Sequence, residues 1–349
     1  MGKGPQKQGS SQITDKVRPS APGSPVRIAH ITDVHISAFG RRTAVLKDRA
    51  AEILADVLEQ INYSKADVTI FGGDNIDNRE DGQADLELFF ETVRQTQNWR
   101  CILGNHEAKN RSKQSPGMLT QEDFLEAVKG HGIRPGQTSF SEAFGQVRII
   151  AINTTIMGHH GGLVDGPTLK FLETELANAS EKHIVVFGHH LLAETWAPAQ
   201  FETWDQEYLV QNRDMVCAVL ASNSNVRAYL CGHHHASHIG FIPAEQAENG
   251  FYQILTPSLS AFPHGARILT FTEDSLVVET IEPRIEGLME EGLTAVLGGR
   301  KIQRFKTLNH PRSFIEYLGG RESDRNVRLP LNLSSSAQSN LPNSSVVLV

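Results

Sequence analysis

The sequence is read as an α/β protein with two facing sheets and helices on the outside. Three observations lead there. Apolar runs of strand length alternate with stretches of helical spacing from Val26 to Cys231. Hairpin-like strand pairs then follow around residues 138–155 and again after Gly232. Finally, five short polar clusters each stand directly behind an apolar run: Asp33-Val34-His35, Gly73-Asp74-Asn75, Gly104-Asn105-His106-Glu107, Gly188-His189-His190 and Gly232-His233-His234-His235. In open sheets, ligands gather beyond the carboxyl ends of strands, which is where all five clusters fall.

The elements follow in order. Val26 to Thr32 reads as a first strand. Ala44 to Ile61 has helical spacing, with Val45, Ile53, Leu54, Val57, Leu58 and Ile61 on one side. Asp67 to Phe71 is a strand ending in Gly-Gly, Leu86 to Val93 a helix, Trp99 to Leu103 a strand, and 120–129 a helix. Phe140 to Phe144 and Val147 to Asn153, parted by Gly145, form a hairpin. Thr168 to Leu176 is helical. His183 to Phe187 and Val226 to Cys231 are buried strands, separated by a helix over 206–221. Strands are expected at 236–242, 251–256, 266–272 and 276–282. This gives a folded domain over 27–283. Residues 284–329, with short helices at Leu288 to Leu297 and Ser313 to Leu318, form a packed appendage, and 330–349 a flexible tail.

Residues 1–26 are rich in Gly, Ser, Pro, Gln and Lys and are expected as a flexible tail with no signal-peptide core. No stretch reaches the roughly 20 apolar residues of a membrane span, so the expected location is the cytoplasm. The net charge of −7 over 349 residues argues against a broad nucleic-acid surface. Cys101, Cys217 and Cys231 are far apart and odd in number, so no disulfide framework is expected, and Cys101 and Cys231 read as buried small hydrophobes.

Asp33 and His35 lie two apart in an extended segment and project to the same side. Asp74 follows two glycines, where the backbone turns sharply, and its two oxygens can bridge two ions. Asn105 offers an amide oxygen. Its neighbour His106 cannot easily reach the same ion and is a candidate proton donor. His189 is a candidate ligand with His190 lining the site or buried behind it. His233 and His235 face one way, and His234 the other. Carboxylate, amide and imidazole suit two divalent transition-metal ions of the Mn, Fe, Zn, Co or Ni kind. Two such ions bridged by a carboxylate and a hydroxide are a device for hydrolysing phosphate esters, and the ligand charges leave the centre net positive, suited to a diester anion.

The ordered set Asp-x-His, Gly-Asp, Gly-Asn-His-Asp/Glu, His and Gly-His-x-His, complete across residues 27–240, resembles the calcineurin-like metallophosphoesterase superfamily. The resemblance implies a four-layer α/β/β/α sandwich of two mixed sheets. It implies one ion held by Asp33, His35, Asp74 and His235 and a second held by Asp74, Asn105, His189 and His233. Attack by a metal-bridging hydroxide would then be aided by His106 as general acid or charge stabiliser.

Within that superfamily the purple acid phosphatases carry Asp-x-Gly and Gly-Asp-x-x-Tyr, whereas this chain has Asp33-Val34-His35, and Asp77 stands where the Tyr would be. Ile152 to Gly162, followed by Leu169, Leu172 and Leu176, is similar to the bacterial class III cyclic nucleotide phosphodiesterases. Gly188-His189-His190-Leu191-Leu192 departs from their usual His-His-Pro-Pro. The expected substrate is therefore a 3′,5′-cAMP-like cyclic nucleotide or related small phosphodiester. The alternatives are a phosphomonoester, a nucleotide anhydride or a glycerophosphodiester. Asn105, His106, His159 and His160 are candidate substrate contacts; the other reading of His159 and His160 is solvated imidazoles on a glycine-rich loop. Lys109, Arg111 and Lys113 either guide anions or form a solvated loop. Trp196 and Trp204 either stack on a base or pack, in the core or across a homodimer. A non-catalytic scaffold would be expected to lack ligands, and none is missing.

Overall fold

The computed structural model describes residues 24–109, 117–195, 207–243, 250–299 and 311–331, with side chains from 315 onward in the last segment. Twelve strands among them form two six-stranded sheets. The first contains β1 (Val26–Ile31), β2 (Val68–Phe71), β3 (Trp99–Cys101), β10 (Ala266–Phe271), β11 (Ser275–Ile281) and β12 (Val327–Pro330), in the order β12-β11-β10-β1-β2-β3. The second contains β4 (Phe140–Phe144), β5 (Val147–Ala151), β6 (His183–Phe187), β7 (Val226–Cys231), β8 (His238–Pro243) and β9 (Gly250–Leu255), in the order β4-β5-β6-β7-β9-β8.

Both sheets are mixed. Strands β1, β2 and β3 run parallel, with Ile31 opposite Phe71 and Phe71 opposite Cys101. Strands β5, β6, β7 and β9 are also parallel, with antiparallel edges at β4 and β8. Parallel strands end on the same side of their sheet. The five polar clusters therefore leave β1, β2, β3, β6 and β7 at carboxyl ends, as the sequence pattern predicts.

The sheets face one another. In β6, Val185 and Phe187 join a core shared with Ile28, Ile268 and Phe271 of the first sheet, while the alternate residues Ile184 and Val186 pack outward. The rings of His30 and Phe187, one from each sheet, meet edge-on at 5.3 Å. Helix α1 (Ala50–Ser64) buries Ile53, Leu54, Val57, Leu58 and Ile61 against the first sheet's core, together with α2 (Gly82–Val93). On the far side, α4 (Gly166–Asn178) and α5 (Arg213–Ala221) contribute Leu172, Leu176, Val216 and Leu220 to the outer face of the second sheet. The cap residues fit: Asp81 and Asp165 accept from Ala84 and Thr168 N–H, and Thr120 with Asp123 forms a capping box ahead of α3 (Gln121–Ala127).

Some boundaries differ from the sequence reading. The helix expected over Ala44 to Ile61 begins as a 3-10 turn at Lys47–Arg49 and runs to Ser64; ahead of it Leu46 has φ −85° and ψ 62°, outside the helical region, with its N–H donated to the Ser260 carbonyl. The helix expected over 206–221 starts only at Arg213; Leu209 and Val210 instead bridge to Leu191 and Gly162, which a helix would forbid. Helices α6 (Leu288–Gly298), α7 (Pro311–Gly319) and α8 (Glu322–Arg325) follow, and β12 then pairs antiparallel with β11. The segment expected as an appendage thus supplies a sheet edge and the buried Leu329. No described helix is long and apolar enough to cross a membrane.

Phe187 is fully buried between the sheets, so Phe187→Ala should destabilise the protein by about 3–5 kcal/mol, read as a lowered urea midpoint.

Candidate metal centre

The loops behind β1, β2, β3, β6 and β7 turn inward over a common point. The turning is visible in the backbone. Asp33, His35, Asp74, His233 and His235 all have positive φ, between 46° and 68°, although none is glycine. Such conformations are sparsely populated and need support from their surroundings. Glycines permit the close approach. Gly73 has φ 93°, and a Cβ on Gly104 would lie 2.2 Å from the Asp74 amide nitrogen.

The support is a set of buried hydrogen bonds. The Glu107 carboxylate accepts from the N–H groups of Asp74 (2.9 Å), Asn75 (2.7 Å), Ile76 (3.1 Å) and Gly104 (2.8 Å), locking the β2 and β3 loops together. Asp85 accepts from Ser37 Oγ, Ala38 N–H and Asn78 N–H and so joins the β1 loop to the same unit. Asn78 donates to the His106 and Leu119 carbonyls. Across the cleft, Thr154 Oγ1 accepts from the N–H groups of both His189 and His190 at 3.2 Å, and Tyr229 donates to the His190 carbonyl. His233 N–H donates to Asp33 Oδ2 at 2.8 Å, linking the two sheets' loops.

Held this way, the donor atoms converge. In each of three groups the ligand atoms lie within 4.8 Å of one another: Asp33, His35 and His235; His35, Asp74 and His106; and Asp74, His189 and His233. His235 Nε2 is 3.2 Å from Asp33 Oδ1, His35 Nε2 is 3.8 Å from Asp74 Oδ2, and His189 Nε2 is 3.4 Å from the same Asp74 oxygen. Asp74 is thus the carboxylate shared between groups. Second bonds orient the rings. His189 Nδ1 faces the Gly72 carbonyl at 2.9 Å, His106 Nδ1 the Asp77 carbonyl at 2.7 Å, and His233 Nε2 the Glu207 carbonyl at 2.6 Å. A carbonyl requires a proton on the nitrogen that faces it, so the other nitrogen of each neutral ring presents its lone pair inward.

The donor set fits divalent cations. Asp33 Oδ1, Asn105 Oδ1 and His189 Nε2 are buried with no hydrogen-bond partner. Buried polar atoms in native proteins are normally satisfied, and Asp33 Oδ1 and His189 Nε2 belong to the converging groups, a donor set that suits a cation. Protonation reflects the same crowding. Burial would lower the pKa of His189, but the Asp74 carboxylate outweighs it and raises the value to about 9. Burial and the neighbouring His106 hold His35 well below its ordinary value. Burial, then Asp74, pushes Glu107 up to about 7, against the pull of its backbone donors. Burial keeps His190 neutral, near 3, where it bonds Thr154 Oγ1 and the His160 carbonyl.

The sequence profile of the Calcineurin-like phosphoesterase family matches residues 26–237, which is more than half of the chain and includes every residue of the converging groups. The chain belongs to that family. Among curated relatives, it is 26% identical over 218 residues to a cAMP/cGMP dual specificity phosphodiesterase of Mycobacterium tuberculosis, an alignment covering 60% of this chain and 62% of that one. A probable cyclic nucleotide phosphodiesterase of Rhodococcus erythropolis is 26% identical, over 60% of this chain and 65% of that protein. The 3′,5′-cyclic adenosine monophosphate phosphodiesterase CpdA of Escherichia coli is 27% identical, over 62% and 72%. The chain therefore spans less than two thirds of the length of the first two. Among solved structures, a dimetal phosphatase from Danio rerio superposes with TM-score 0.59 at 15% identity, covering 74% of this chain and 97% of that one, a likeness of fold.

Within this calcineurin-like phosphoesterase, six of the seven expected ligand residues, Asp33, His35, Asp74, His189, His233 and His235, fall in the converging groups, and each of them except His235 is buried. The seventh, Asn105, makes a contact of 3.3 Å to His160 Nδ1. The two substrate-contact candidates on the glycine-rich loop separate. His160 reaches Asn105, whereas His159 Nδ1 accepts from Gly161 N–H in its own turn. Arg111, Lys113, Trp196 and Trp204 lie outside the described residues. Sequence reasoning missed the tethers. Glu107 is visible as a motif member but its backbone partners are not, and nothing local marks Asp85 or Thr154. In Glu107→Gln, an amide nitrogen would face two backbone donors, so the metal-free protein should lose about 2–6 kcal/mol in urea unfolding.

Proposed function

We propose that this chain is a dinuclear metal-dependent phosphodiesterase acting on cyclic nucleotides of the 3′,5′-cAMP kind or on related small phosphodiesters. The reading is carried by the convergence of carboxylates and imidazoles on the shared oxygen of Asp74, in a member of a phosphoesterase family. Relatives named as cyclic nucleotide phosphodiesterases support the substrate class. One ion would be held by Asp33, His35, Asp74 and His235, and the other by Asp74, Asn105, His189 and His233. Bound there, the ion pair would supply Lewis acidity and lower the pKa of a shared water.

The chain's own residues would do the rest. His106, fixed at Nδ1 by the Asp77 carbonyl, turns Nε2 toward the centre, 4.0 Å from Asp74 Oδ2. Burial lowers its proton affinity, while Asp74 and Asp77 favour the imidazolium that a general acid requires. Its role in this proposal is to hold a proton at Nε2 for the leaving oxygen. The Lys47–Asp77 ion pair keeps that arrangement rigid. His160, in contact with Asn105, is the proposed substrate contact. A second reading, glycerophosphodiester hydrolysis, is favoured by a 27% identical relative named as a probable glycerophosphodiester phosphodiesterase in Arcobacter nitrofigilis.

Asp74→Ala should lose metal and turnover together; a variant that keeps both ions would overturn the shared-carboxylate assignment. His106→Ala should keep both ions, counted by elemental analysis, yet slow turnover by roughly 10²–10⁴-fold. A lost ion would instead make His106 a ligand with His35 and Asp74. Assays of 3′,5′- and 2′,3′-cyclic nucleotides, glycerophosphodiesters, anhydrides and monoesters with several metals decide the substrate. Chelation should abolish all these activities, and their survival in chelator would overturn the proposal.

A further inference from the structure

His234 stands between two of the proposed ligands, and its ring points away from them into the protein interior. It packs edge-on to Tyr208 at 4.5 Å and to Tyr317 at 5.5 Å, and its Nε2 is hydrogen-bonded to the Tyr317 hydroxyl. Tyr317 lies on α7, in the C-terminal segment beyond the family match at residues 26–237. The same hydroxyl bonds Thr195 Oγ1 at 2.8 Å, in the stretch that follows His189. One buried hydroxyl thus joins the two loops carrying His189, His233 and His235.

Neighbouring bonds fasten the same segment. Ser237 N–H donates to the Leu318 carbonyl at 2.8 Å, and Ile239 N–H donates to Asp324 Oδ1 at 2.9 Å. The fully buried Arg267 donates to the Asp324 carbonyl at 2.6 Å and to Ser237 Oγ at 2.7 Å. This matters because His233 and His235 have φ of 68° and 59°, conformations that relax unless the flanking chain is held.

We propose that Tyr317 is a positioning residue for the metal centre: its hydroxyl, shared by His234 and Thr195, fixes the backbone that aims His233 and His235. The inference rests on the metal-centre reading given under Proposed function. Residues 311–331 are then part of the site's construction, although they contribute no ligand.

The test uses the full chain, freed of metal and titrated with Mn²⁺ in a calorimeter, with the melting temperature of the metal-free protein measured alongside. Tyr317→Phe keeps the ring and removes the hydroxyl. Its Mn²⁺ affinity should fall by about 10-fold, the lower end of the range for a ligand's own lost hydrogen-bond partner, because the hydroxyl acts on His233 and His235 through the intervening backbone. Its metal-free Tm should fall by no more than about 8 °C, the scale of the two hydrogen bonds the hydroxyl makes. Thr195→Val removes the other end of the bond, should weaken Mn²⁺ in the same direction, and carries the test if Tyr317→Phe does not fold. Leu329→Ala loosens the same segment at β12, away from the hydroxyl, and should lower Tm with Mn²⁺ affinity unchanged. Wild-type affinity in Tyr317→Phe and Thr195→Val overturns the inference while leaving the metal centre standing. So does a loss of affinity in Leu329→Ala that tracks Tm as it does in the other variants. A wild-type chain that binds neither Mn²⁺ nor Zn²⁺ overturns the metal-centre reading and this inference with it.

Discussion

The centre depends on one buried carboxylate that would bind no metal. Glu107 gathers four backbone N–H groups from the loops behind two adjacent strands. Charge-assisted bonds of this kind are among the stronger ones available to a protein. They fix Asp74 and Asn105 relative to each other before any ion arrives. Everything that converges on the shared Asp74 oxygen inherits that placement, including His35, His106 and His189.

The arrangement costs free energy, and the cost is concentrated in one place. Five of the proposed ligand residues take left-handed backbone conformations, and buried imidazoles and carboxylates crowd together at short range. The rest of the fold is regular by contrast: long runs of Val, Ile, Leu and Phe pack in two layers around parallel strands. A rigid, conventional scaffold holding an unfavourable constellation is what a site poised for cations requires.

Much of this was legible in the sequence. The order of strands and the five clusters followed from apolar runs ending in polar residues, because side-chain period and strand length are local properties. That His234 points away from its neighbours agrees with the sequence reading, but the extended backbone that reading assumed for Asp33 with His35 and for His233 with His235 is absent: these four residues have φ between 46° and 68°, a loop geometry no strand period encodes. What was not legible depended on distant partners. The late start of α5 reflects bridges from Leu209 and Val210 to Leu191 and Gly162, which no local periodicity encodes. The backbone donors to Glu107, the reach of Thr154 to two histidine amides, and the meeting of Tyr317 with His234 all join residues tens of positions apart. Strand β12, only four residues long and ending in Pro330, carries too little pattern to be recognised in isolation.

That short strand also governs how the molecule meets its neighbours. A sheet border exposes unpaired backbone groups that can recruit another chain. Without β12, the seven-residue β11 would be the border of the first sheet. With it, the border among the described residues is a brief segment closed by a proline and carrying the charged Arg328, a poor template for further pairing. The opposite border, β3, has three residues, and β8 on the second sheet likewise ends in a proline, Pro243. Those three margins are blunted against edge-to-edge aggregation.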